Sequence, residues 1–117
     1  MRHGVKKVKL GSDKDHGKSI VRGLAVTLIL NDKVKTTEVR AKAVVPFVEK
    51  AIQYGIKKDK LMAIRHLEKL LQHPNASKKI LEVLVEKYKG KSSGFVRRTF
   101  LSFRKGDAAH LVLIELV

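Results

Sequence analysis

The chain has 117 residues, and 26 Lys and Arg stand against 11 Asp and Glu, a formal net charge of +15 at pH 7. A small chain so charged repels itself until a polyanion neutralises it, and nucleic acid does so through counterion release without any reading of bases. The absence of cysteine excludes disulfides, thiolate metal sites and thiol catalysis, and is compatible with a reducing compartment.

A hydrophobic fraction of 44% argues against wholesale disorder, and the length suits one domain with a modest core. No apolar run approaches the roughly 20 residues of a membrane span. The basic N-terminus is not followed by an apolar leader segment, so the expectation is a soluble, unprocessed chain with no membrane partner.

Residues 1–11 hold Arg2, Lys6, Lys7 and Lys9 and no acid. With so little apolar material the segment reads as an extended basic arm, ordered where phosphates hold it, and 12–117 as a single domain. Ser12 is the expected cap of a first helix, with Asp13 and Asp15 in its first turn. That helix runs to about Leu30, with Ile20, Leu24 and Leu28 building core, flanked by Val21, Ala25 and Ile29, and with Lys18 and Arg22 on nearly the opposite side. Asn31 and Asp32 make a turn, and residues 33–37 alternate as a short edge strand. Thr37 caps a second helix whose stripe comprises Val39, Ala43, Phe47 and Ala51, with Val44, Val48 and Ile52 beside it; Pro46 predicts a kink near Lys42 or Ala43, and Gly55 the end.

A third helix spans about 58–72, with Leu61, Ile64, Leu67 or Leu70, and Leu71 apolar, and stops at His73 and Pro74. Asn75 or Ser77 caps a fourth, in which Ile80, Leu81, Leu84, Val85 and Tyr88 face inward while Lys78, Lys79 and Glu82 face water; Gly90 ends it. Residues 94–103 read as a strand, 104–109 as its connector and 110–117 as a second strand with Val112, Ile114 and Leu116 on one face. The predicted class is α+β, about four helices packed on a small sheet of about three strands, with the extended basic arm in front.

Chemistry at specific residues is sparse. The five histidines are scattered, and His66 and His73, seven apart, find no third ligand, so neither a metal nor another cofactor is expected. Carboxylates lie next to basic residues, as surface pairs do, and no nucleotide-binding glycine loop occurs. An enzyme reading therefore has no residues to stand on, and no small-molecule substrate is expected. Phe47, Phe95, Phe100 and Phe103 sit on apolar patterns and read as core rather than as a base-stacking platform. The basic residues, by contrast, group by region: the arm, the face of Lys18 and Arg22, Lys33 and Lys35 with Arg40 and Lys42, and Arg97 and Arg98 with Arg104 and Lys105. Arginine carries extra weight, since its planar fork binds phosphate bidentately. The expected RNA-binding set is Arg2, His3, Lys6, Lys7, Lys9, His16, Lys18, Arg22, Lys35, Arg40, Lys42, Arg97, Arg98, Arg104 and Lys105.

A colinear series of short motifs then runs the length of the chain: Met1-Arg2-His3, Lys9-Leu10-Gly11 leading to His16, Leu24-Ala25, Lys35-Thr36-Thr37-Glu38, Ala41-Lys42-Ala43, Pro46-Phe47-Val48-Glu49-Lys50, Gly94 with Arg97, Arg104-Lys105-Gly106-Asp107-Ala108-Ala109, and Ile114-Glu115-Leu116. In these the chain resembles the bacterial large-subunit ribosomal protein seventeen family. The resemblance implies a structural, non-catalytic constituent of the large subunit in the cytoplasm. It also implies large-subunit ribosomal RNA and neighbouring ribosomal proteins as partners, and a place near the peptide exit region. Gly17, Gly23, Val45 and Phe95-Val96 depart from the family pattern, so RNA contacts made there in relatives do not carry over. The rival reading is a non-specific DNA-compacting or nucleic-acid chaperone protein, with a basic enzyme acting on nucleic acid third.

Overall fold

Asp13 opens the first helix: its Oδ1 accepts the His16 amide at 2.8 Å, and α1 runs Lys14–Asn31. The computed structural model describes residues 3–4, 9–11 and 13–117, so the expected cap Ser12 lies outside the described residues, as do Arg2, Lys6 and Lys7. Asp32 turns the chain in the left-handed region, with φ 67°, into β1, Lys33–Thr37. There follow α2, Glu38–Lys57; α3, Lys60–Leu71; and α4, Pro74–Lys79, which continues without a break through a π-helical segment, Ile80–Leu84, into α5, Val85–Lys87. The strands β2, Val96–Phe103, and β3, His110–Leu116, complete the fold. Counting α4 to α5 as one rod, four helices and a three-stranded sheet make the α+β class, as the hydrophobic periodicity indicated.

The sheet is antiparallel throughout, in the order β1-β3-β2, so β1 is the expected edge strand and β3 lies in the centre. Val112, Ile114 and Leu116 of β3 join the helices in one core, while the alternate positions Leu111, Leu113 and Glu115 point to the other, half-exposed face. Phe95 is fully buried, and the Tyr88 hydroxyl beneath it reaches the carbonyls of Val117 at 3.0 Å and Phe95 at 3.4 Å. Burial, reinforced by the negative charges of Asp32 and Glu49, raises the Tyr88 pKa above the usual phenol value.

The helix faces are rotated from the expected ones. The α1 contact stripe is Ala25, Leu28 and Ile29, with Leu24 only half-buried; in α2 it is Ala41, Val44, Val48, Ala51 and Ile52, with Phe47 half-buried and Val39 exposed; in α3 Ala63 replaces the exposed Leu61. Small residues occupy the positions of closest approach, because there the backbones leave no room for larger ones. Gly55 shows the same rule. It does not end α2 but lies within it, and a Cβ there would meet Ile80 Cγ2 at 2.9 Å and Val85 Cγ2 at 3.2 Å. Pro46 also lies inside α2, which is one helix across it; Lys42 and Pro46 are both exposed, so the carbonyl that loses its helical donor is on the solvent side.

The cap of α4 and the direction of Lys79 also differ from expectation. His73, whose Nδ1 accepts the Ala76 amide at 3.2 Å, caps α4, and Pro74 starts that helix rather than stopping the one before, since proline suits a first turn that lacks a donor requirement. Asn75 and Ser77 lie inside it. Lys79 does not face water: its Nζ donates to the Leu30 carbonyl at 3.2 Å and to Asp32 Oδ1 at 2.8 Å, supplying positive charge where α1 has no basic residue in its own last turn.

Candidate nucleic-acid interface

The β1-β3-β2 order brings together basic residues far apart in the chain. Lys33 and Arg97 both stand opposite Glu115, and Lys35 and Thr99 both stand opposite Leu113, so all share the sheet face turned away from the core. Lys33, Lys35 and Arg97 are exposed there. Arg97 is engaged, its Nε at 3.0 Å and Nη2 at 2.6 Å from Glu115 Oε1.

The β2-β3 turn is equally well defined. Arg104 N donates to the Ala109 carbonyl at 2.7 Å and Ala108 N to the Arg104 carbonyl at 2.9 Å, while Ala108 takes φ 55°. Across the loop Arg104 grips Asp107 with two bonds, Nε to Oδ1 at 2.9 Å and Nη2 to Oδ2 at 2.6 Å. The hydrogen bond from Arg104, together with the Ala109 amide, lowers the Asp107 pKa to about 2. Lys105 projects from this turn into solvent. At the same end of the sheet α2 begins, with Arg40 and Lys42 exposed, Lys42 Nζ 3.8 Å from Glu38 Oε1, and His110 Nδ1 3.1 Å from Glu38 Oε2.

The remaining expected residues are dispersed. His3 and Lys9 are exposed in the arm, and His16 and Lys18 are exposed near the start of α1. Arg22 is not on an open face: it is half-buried, and its Nε donates to the Leu70 carbonyl of α3 at 3.3 Å, a strut between helices. Lys9, Lys18, Lys35, Arg40, Arg98 and Lys105 have no ion-pair partner among the described residues. Cations without a carboxylate neighbour keep their full attraction for phosphate, whereas Arg97 and Arg104 each offer phosphate only the donors that their partners leave.

Two findings escaped the sequence reading. Phe100 and Phe103 are not core: both are exposed, beside His110. The three-strand charged row through Glu115 depends on strand order, which single-residue patterning does not encode. Among the described residues no group of three His, Cys, Asp or Glu converges as metal ligands do. A depression of about 520 Å³ opens between α3 and α4 and is lined by Lys60, Glu68, His73 and Lys78 among others. No helix among the described residues is long and apolar enough to cross a membrane.

Comparison with known proteins gives one consistent match. The family model described as Ribosomal protein L17 matches residues 20–117. The large ribosomal subunit protein bL17 of Desulforudis audaxviator is 35% identical over 109 residues, covering 93% of this chain and 96% of that protein. That of Wolbachia pipientis is 37% identical over 118 residues, covering all of this chain and 83% of the relative. That of Fusobacterium nucleatum is 34% identical over 117 residues, with both chains covered completely.

Proposed function

Because the chain belongs to the ribosomal protein L17 family and is a protein of the large ribosomal subunit, we propose that it binds and stabilises folded large-subunit ribosomal RNA in the cytoplasm, chiefly through phosphate contacts and without catalysis. The net charge of +15 on 117 residues carries this reading. Each Lys or Arg set against a phosphate releases condensed counterions, so affinity accumulates from many weak contacts rather than from one pocket.

In this reading residues 12–117 form the RNA-binding domain and 1–11 an arm that follows the RNA backbone. The open face of the sheet, with Lys33, Lys35 and Arg97, lies against one stretch of backbone. The turn end of the sheet, with Arg40, Lys42 and Lys105, lies against another, and Arg98 stands further along β2, opposite Ile114. A rigid hairpin serves this purpose, because a turn fixed by the Arg104–Asp107 clamp presents Lys105 without further ordering cost on binding. Neighbouring ribosomal proteins complete the surroundings.

The native protein is expected to co-sediment with large subunits in a sucrose gradient and not with small ones. Absence from the large-subunit fraction overturns the proposal. The ranking of cations is tested by affinity for a large-subunit RNA transcript: Arg40→Gln with Arg98→Gln weakens binding more than Arg104→Gln with Arg97→Gln, because only the second pair begins partly neutralised. The reverse order would show that the clamped arginines are the principal contacts.

A further inference from the structure

Phe100 and Phe103 stand three apart in β2, a spacing that places side chains on opposite faces of a regular strand. Here pairing shifts: Phe100 faces Val112, Ser102 faces Leu111 and Phe103 faces His110, which leaves Leu101 as the extra residue of a β-bulge. The bulge returns Phe103 to the face of Phe100. The two rings close with His110 into a trio with centroids 5.5, 5.6 and 4.9 Å apart and interplanar angles of 70°, 76° and 84°. Through Val112 this face is continuous with the core, yet Phe100 is 52% and Phe103 59% exposed.

Edge-on packing leaves ring faces open, and the surroundings are cationic. Arg98 lies two residues before Phe100 on the same face and has no ion-pair partner among the described residues; Arg104 and Lys105 follow Phe103 directly. The acid beside the trio, Glu38, is bracketed by His110 and Lys42. An occupant must therefore present a flat apolar surface with negative charge next to it, and a nucleotide combines both in one unit.

We propose that the bulge-built face of Phe100, Phe103 and His110 stacks an unpaired base of RNA, whose flanking phosphates meet Arg98 and Lys105. This rests on the RNA-binding reading above and adds a base-contacting element to it. The probes are an oligoadenylate of about ten nucleotides carrying a central 2-aminopurine and an abasic oligomer of equal charge. The native protein is expected to bind the base-bearing oligomer about tenfold more tightly than the abasic one and to quench the 2-aminopurine. The exposed double variant Phe100→Leu, Phe103→Leu loses that preference while its salt dependence stays the same.

Equal native affinity for the two oligomers overturns stacking and leaves the phosphate reading intact, and this comparison needs no variant. Failure of the native protein to bind either oligomer overturns both. A preference that survives in the double variant, with loss of a neighbouring protein from subunits that carry it, assigns the face to a protein partner and overturns the proposal.

Discussion

Asp107 and Gly55 are residues whose surroundings make sharp demands. The Arg104 clamp lowers the Asp107 pKa from 3.8 to about 2. A depressed carboxyl stabilises the folded turn at pH values above its unfolded pKa, and this contribution is lost as pH falls from about 4 towards 2. A carboxyl titration followed by NMR should therefore show an Asp107 midpoint near 2, rising towards the ordinary value in Arg104→Gln; a native midpoint near 4 would mean that the clamp is not populated in solution. Gly55 sits where α2 meets the π-helical segment and α5, with Ile80 and Val85 already at contact distance of an added Cβ. Gly55→Val should cost about 1–3 kcal/mol by overpacking, read from urea unfolding, despite the better helix propensity of valine. A stabilised variant would contradict the close packing of these helices.

The elements were legible in the sequence and their orientations only in part. The four-residue apolar spacing and the alternation in β3 located four helices and three strands, and Val112, Ile114 and Leu116 fell on the core side as expected. The helix faces were misjudged wherever the largest apolar side chain was taken as the centre of the stripe: Leu24, Phe47 and Leu61 lie at or beyond the flank, and Ala25, Ala41 and Ala63 lie at the contact. Close approach of two helices selects small residues, and a hydrophobicity pattern does not register them. Likewise no periodicity reveals the bulge at Leu101, which carries Phe103 to the face of Phe100. The rotation of α1 is testable: Leu28→Ala should cost about 2–5 kcal/mol and the half-buried Leu24→Ala distinctly less, by urea denaturation. Equal losses would restore the face centred on Leu24.

At the scale of the whole molecule, a small core carries an excess of positive charge that its own ion pairs do not remove. The described salt bridges tie Arg97, Arg104, Lys79 and Lys42 to carboxylates, so the cations left without partners are spread from the arm and α1 to both ends of the sheet. Such a distribution suits an RNA surface that wraps the protein rather than a single cleft. The direct test is the salt dependence of affinity for a large-subunit RNA transcript. With about six or more phosphates neutralised, affinity should fall by roughly 10³ or more between about 50 and 200 mM salt. A change of less than about tenfold over that range would contradict phosphate-dominated binding.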